Sequence, residues 1–128
     1  MRELLLDTSA LLFWTLAPER LTASAIQAID DASVRLISAV SLWEVALKNR
    51  KGALELPLPT EEYVDRLTAA DRVEISPLEP QVAVAGALLD WDHRDPADRW
   101  IVALAQQRGC PIVTSDERIR AFHKHTIW

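Results

Sequence analysis

Short apolar runs alternate with longer amphipathic stretches along this chain, and the junctions between them are polar. Leu4, Leu5 and Leu6 form an unbroken apolar run. Such a run fits a strand covered on both faces, as in a parallel sheet. It stops at Asp7, Thr8 and Ser9 follow, and Ala10 to Leu16 is an apolar run of helical length. The pattern predicts strand, acidic turn, helix. Asp7 then stands where a strand's carboxyl end meets a helix's amino end, the edge at which open α/β sheets bind ligands. Asp also caps helices well, so capping and ligand binding both stand as readings of Asp7 at this point.

The alternation continues. Pro18 to Thr22 reads as a turn, and Thr22 or Ser24 can cap a helix over about Ala23 to Asp31. Val34 to Ile37 is a second strand, and Ser38 to Lys51 a helix that Gly52 stops. In that helix Ser41, Glu44, Lys48 and Lys51 share one face, with Trp43, Ala46 and Leu47 on another, apolar one. Glu44 either pairs with Lys48 at the surface, for about 0.2–0.5 kcal/mol, or enters a cleft as a metal ligand. Leu54 to Pro59 excludes helix, and Thr60 then caps a helix that runs to about Ala70. Val73 to Ile75 is a third strand, and a helix follows over about Gln81 to Leu89.

Asp95 reads as an N-cap, with Pro96 at the first helical position and Asp98 at the third. The helix continues to Arg108 and stops at Gly109. Asp98 can complement the helix dipole there, for about 0.3–1 kcal/mol. Because Asp95 already supplies the cap, Asp98 is free for another role. Pro111 to Thr114 is a fourth strand, Asp116 lies just past its end, and a short helix runs to Phe122. Thr126 to Trp128 is a last strand. His93 reads as a loop residue. His123 and His125 would share one face of a strand, but no third ligand is near them, and they read as solvated side chains.

Strands alternating with helices imply an α/β fold with a mainly parallel sheet. Right-handed crossovers put every strand-to-helix turn on one edge, so Asp7 and Asp116 share it. Asp98 joins them if its helix packs beside the first strand.

The 128 residues make one domain, 1–128, with 49% hydrophobic and 26% charged positions, an ordinary globular balance. No apolar stretch reaches the roughly 20 residues of a membrane span, and Glu3 and Asp7 interrupt any signal-peptide core. A cytoplasmic protein is expected, and the lone Cys110 reads as a small buried residue. The formal charge of −5 argues against binding nucleic acid through a basic surface. It leaves open phosphate recognition through bound cations.

Caps explain one acid each, but not why three similar turns each carry a carboxylate. Two carboxylates about 4 Å apart repel by roughly 4 kcal/mol at an effective dielectric of 20. A cluster of them persists if some are protonated or a cation is present. Hard oxygen ligands without thiolates suit Mg²⁺ or Mn²⁺ rather than Zn²⁺. A cation so held can activate water and stabilise charge on a phosphodiester, so phosphodiester hydrolysis is the natural reaction class.

The sequence resembles PIN-domain ribonucleases, specifically the VapC-type toxins of bacterial toxin–antitoxin pairs. The resemblance lies in Leu-Leu-Asp7-Thr-Ser9, Ser41-Leu-Trp-Glu44-Val-Ala-Leu-Lys48, Asp95-Pro-Ala-Asp98-Arg99 and Thr114-Ser-Asp116. It implies a PIN-like three-layer fold, with a central sheet of four to five strands flanked by helices. It implies that Asp7, Glu44, Asp98 and Asp116 form an acidic pocket for one or two Mg²⁺ or Mn²⁺ ions. Asp7 and Asp98 would be the main ligands of one ion, with Asp116 completing or water-bridging that site. Glu44 would serve a second ion or orient the attacking water. Ser9 and Thr114 would hydrogen-bond the carboxylates or ligating waters, and Asp95 would remain a structural cap. Ala97 stands where many relatives carry a larger apolar residue.

The same resemblance implies an RNA substrate, a homodimer and an antitoxin that occludes the cleft. Lys48, Arg50, Lys51, Arg94 and Arg99 are the candidate phosphate contacts, and Leu54 to Ala70 the candidate partner surface. Other classes fit the residues less well. A phosphoryl-accepting receiver module needs adjacent acids after the first strand and a Lys-Pro near the last, but Thr8 follows Asp7 and His125 follows Lys124. A catalytically silent partner-binding domain would have no need of all four acids. A haloacid-dehalogenase-type phosphatase needs a second Asp where Ser9 stands. A Gly-x-Ser-x-Gly elbow and Gly-rich nucleotide loops are absent.

Overall fold

Leu4, Leu5 and Leu6 are each almost fully buried, because their side chains alternate between two cores. The computed structural model describes residues 2–128. Among these, five strands form a single sheet: β1 (Glu3–Leu6), β2 (Val34–Ser38), β3 (Val73–Ser76), β4 (Ile112–Val113) and β5 (Thr126–Ile127). Every pairing is parallel, in the order β3-β2-β1-β4-β5. Leu6 stands opposite Ile37 on one side and Val113 on the other.

Seven α-helices connect and cover the strands: α1 (Thr8–Leu16), α2 (Ala23–Asp31), α3 (Ala39–Arg50), α4 (Thr60–Thr68), α5 (Pro80–Leu88), α6 (Pro96–Arg108) and α7 (Glu117–Phe122). Leu4, Leu6, Ile37 and Val113 pack on one face of the sheet with Leu11, Ile29, Val45, Tyr63 and Leu67 of α1 to α4. Leu5, Leu36 and Ile112 pack on the other with Val82, Ile101, Val102 and Ile119 of α5 to α7. The result is helix, sheet, helix in three layers, as expected.

The sheet grows outward from β1 in two directions, so the chain reverses its winding between β1 and β4. That is the topological switch point, where the loops part and leave a crevice at the strands' carboxyl ends. Asp7 immediately follows β1 and Asp116 closely follows β4.

Two glycines have positional causes. Gly109 ends α6 in the left-handed conformation, at φ 63°, where Cβ is disfavoured. Gly86 lets α5 approach α6, since a Cβ there would lie 2.5 Å from Trp100 Cδ1. Arg108, in the last turn of α6, forms bidentate pairs with Glu3 and Glu74 and so ties that helix to β1 and β3.

Two local expectations change. Pro59, already extended, takes the cap position before α4, so Thr60 becomes the first helical residue and donates to Asn49 Oδ1 at 3.0 Å. Trp43 is 63% exposed rather than packed, because Val40, Ser41 and Val45 form the buried face of α3. Trp43 lies about 200° round the helix from Ser41.

Candidate active site

Asp7 is a cap and something more. Its Oδ1 accepts from the Ala10 amide at 2.8 Å, which seals the start of α1. Its Oδ2 accepts from the Thr114 hydroxyl. The side chain is only 5% exposed. Burial pushes its pKa up to about 6, against the two hydrogen bonds, and the carboxylates of Asp98 and Asp116 push it further the same way. A bare cap would be solvated and ordinary in acidity.

Asp98 and Asp116 are the two acids whose charge reaches Asp7. Asp116 caps α7 through the Ile119 amide at 2.9 Å, and its own amide donates to Thr114 Oγ1 at 3.0 Å. Thr114 therefore holds both acids of the switch point with one hydroxyl. Asp98 stands at the third position of α6 and is 21% exposed. Its pKa is raised by burial and by Asp95 and Asp116, while a hydrogen bond from His93 opposes the rise. Asp95 caps α6 through the Ala97 and Asp98 amides, as expected.

Glu44 enters from α3. Thr8 at the start of α1 donates to Glu44 Oε1, and the Thr8 hydroxyl pairs with Ser41 Oγ at 2.9 Å. Burial raises the Glu44 pKa, with Asp95 and Asp98 adding to it and Lys48 opposing. The four acids thus come from four different segments: Asp98 and Asp116 act on Asp7, Asp116 acts on Asp98, and Asp98 acts on Glu44. Each is fixed by a hydroxyl, an imidazole or a helix amide.

The positions of several expected residues differ. Ser9 is exposed, and it is the buried Thr8 that reaches a carboxylate. Arg99 does not face outward as a phosphate contact. Its guanidinium donates to the carbonyls of Gly86, Ala87, Leu89, Trp91 and His93, at 2.6–3.3 Å. Lys48, Arg50, Lys51 and Arg94 are exposed. His93 is no free loop residue, since Nε2 lies 2.7 Å from Asp98 Oδ2. His123 and His125 precede β5 rather than lying on it, and His123 Nε2 is buried without a hydrogen-bond partner. Cys110 is buried as expected, and burial lifts its thiol to about 11.

The donors suit a hard cation. They are carboxylate oxygens held apart from thiols, at a rim that water reaches. One compact group is His93, Asp95 and Asp98, whose ligand-type atoms lie within 4.8 Å of one another.

Residues 4–124 match the PIN domain family. The chain belongs to that family. This PIN domain is 33% identical to Ribonuclease VapC22 of Mycobacterium tuberculosis (strain ATCC 25618 / H37Rv) over 133 aligned positions, with all of both chains covered. Its fold is similar to that of a chain in a toxin–antitoxin complex from Klebsiella pneumoniae, with a TM-score of 0.69 at 18% identity over 97% of this chain and 95% of the other. It is equally similar to a chain in VapBC2 from Rickettsia felis bound to a DNA fragment from their promoter. There the TM-score is 0.69 at 13% identity, over 98% and 99% of the two chains. No helix among the described residues of this PIN domain is long and apolar enough to cross a membrane.

Proposed function

We propose that this PIN domain is a divalent-cation-dependent endoribonuclease that acts as the toxin of a toxin–antitoxin pair. The observation that carries the reading is Asp7, a buried carboxylate at the switch point whose pKa is lifted to about 6 beside two more acids. Burial is the main cause of that rise and the charges of Asp98 and Asp116 add to it, and a bound cation would offset both where a cap alone would not need it. Full-length similarity to a ribonuclease supplies the substrate class.

In this reading Asp7 and Asp98 are the main ligands of one Mg²⁺ or Mn²⁺ ion, and Asp116 completes it directly or through water. Glu44 serves a second ion or orients the attacking water. A cation bound there supplies positive charge for the scissile phosphate and acidifies that water. Thr114 fixes Asp7 and Asp116 together, and Thr8 fixes Glu44, so the carboxylates need little rearrangement. Ser9, exposed beside Asp7, is available to a ligating water. Lys48, Arg50, Lys51 and Arg94 are the proposed phosphate contacts, and single-stranded or looped RNA is the proposed substrate.

An antitoxin is the proposed partner. The Leu54 to Ala70 segment supports this with an open groove of about 460 Å³ lined by Trp14, Leu16, Leu58, Tyr63 and Leu67. A homodimer belongs to the same reading, and α5 leaves Val84 59% and Leu88 77% exposed. The test of the activity is incubation of purified cellular RNA with the protein. Discrete products with Mg²⁺ or Mn²⁺ and none in excess chelator are expected. Products that survive chelator would overturn the reading.

A further inference from the structure

His93 has ligand-type atoms near Asp95 and Asp98, which invites its assignment as a metal ligand. Its hydrogen bonds say otherwise. Nε2 lies 2.7 Å from Asp98 Oδ2, and Nδ1 lies 2.6 Å from an Arg118 guanidinium nitrogen. A guanidinium only donates, so Nδ1 must offer its lone pair. The ring proton is therefore on Nε2, and it is donated to Asp98. Neither nitrogen keeps a lone pair for a cation, and Arg118 already places a positive charge on the far side of the ring.

The ring is also held in place mechanically. Its side chain is 12% exposed. Trp91 packs against it with centroids 4.9 Å apart, and Trp91 itself stacks on Phe122 of α7 at 4.7 Å and 9°. Arg99 gathers two carbonyls of the last turn of α5 and three of the α5–α6 connection, including those of Trp91 and His93, so the segment that carries the ring is pinned to α6. Arg118 comes from α7, the helix that Asp116 caps. One relay thus joins the two helices whose amino ends carry Asp98 and Asp116.

We propose that Arg118 and His93 form a positioning relay: Arg118 fixes His93 as the Nε2–H tautomer, and His93 fixes the orientation of the Asp98 carboxylate. One Asp98 oxygen is then committed to the imidazole, and the other is left for the acidic pocket. The proposal rests on the reading of Asp98 as a cation ligand only for its consequence in metal binding. The tautomer itself is independent of that reading.

The experiment uses the full chain, metal-free, with ¹⁵N-labelled histidine, followed by Mn²⁺ titration read by electron paramagnetic resonance. Long-range ¹H–¹⁵N spectra of the wild type should show His93 as Nε2–H, and Arg118→Met should turn it into a tautomer mixture. Mn²⁺ affinity should fall about tenfold or more in His93→Leu and clearly in Arg118→Met. His93→Gln should stay near wild type, because its amide can donate to Asp98 and accept from Arg118. A merely structural His93 would not give that rescue, and melting temperatures of all variants control for folding. An Nδ1–H wild type, or a His93→Leu variant that binds Mn²⁺ as the wild type does, would overturn the proposal. A wild type that keeps Nε2–H and binds no Mn²⁺ would overturn the nuclease reading and support the relay.

Discussion

The Thr114 hydroxyl donates to Asp7 Oδ2 while it accepts the Asp116 amide at 3.0 Å. One buried side chain just past β4, the strand next to β1, thus links two acids 109 positions apart in sequence. This bond lowers the Asp7 pKa against the upward pressure of burial. Thr114→Val removes it and leaves the Asp116 amide without its acceptor. The cost should be about 1–3 kcal/mol of stability. The acidic limb of the cleavage pH profile should move to higher pH, because Asp7 then holds its proton more tightly. Thr114→Ser should keep both stability and profile. A pH–rate series on the three proteins checks this.

Asp7 makes the metal-free protein less stable than it could be. Its pKa is about 6 in the fold against 3.8 ordinarily, worth on the order of 3 kcal/mol. A raised carboxyl pKa means that the folded state holds the proton more tightly. The contribution is therefore fully present below about pH 3.8 and is lost as pH rises through 6. In chelator, Asp7→Asn should melt above the wild type at pH 8, with the gap closing near pH 4. Saturating Mg²⁺ should stabilise only the wild type and narrow the gap at pH 8. Thermal melts at the two pH values, with and without Mg²⁺, decide it.

Periodicity made the frame of this fold legible. The Leu4–Leu6 run, the Asp95-Pro96 start of α6 and the Gly109 stop are local signals, and the structure carries each of them. Asp7, Asp98 and Asp116 could be seen as acids at one edge because parallel topology has only one such edge. What stayed hidden depends on contacts between distant segments. Thr8 lies next to Ser9 in sequence, and only the approach of α3 reveals that Thr8 faces Glu44. Arg99 is a cation beside an acid in sequence, and only the path of the α5–α6 connection turns it inward. His93 gained its role from Arg118, 25 positions away. Trp43 is exposed where its hydrophobicity predicts burial, because hydrophobicity alone does not say which face of α3 meets α1.

Arg99 should matter for stability far more than for RNA affinity. Arg99→Lys cannot reproduce a planar fork that serves five carbonyls, and it should destabilise the protein by about 2–4 kcal/mol. Chemical denaturation checks the loss. RNA binding by the remaining folded protein should change little, and a large affinity loss without a stability change would return Arg99 to the phosphate contacts.

Gly86→Ala sets two effects against each other. Alanine favours helix by about 1 kcal/mol, but its Cβ would lie 2.5 Å from Trp100 Cδ1. Overpacking of this kind costs about 1–3 kcal/mol, and the shift also strains the Gly86 carbonyl that Arg99 uses at 2.8 Å. A lower melting temperature is expected. An unchanged or higher one would mean that Trp100 moves aside freely.

A net charge of −5 gives little attraction for phosphate on its own. Binding of a fluorescent single-stranded RNA to the cleavage-deficient Glu44→Gln variant should be much tighter with Mg²⁺ than in chelator. Equal affinity under both conditions would place phosphate recognition on the side chains alone.

In the proposed function the four acids cut RNA through a bound cation. The most direct measurement is single-turnover cleavage of a structured RNA, with Mn²⁺ or Mg²⁺, by wild type, Asp7→Asn and Asp98→Asn preparations of verified melting behaviour. The wild type should give discrete cuts that vanish in chelator, and both variants should lose at least about a hundredfold in rate while remaining folded. Folded variants that cut at the wild-type rate and at the same positions would show that Asp7 and Asp98 do not hold a catalytic cation.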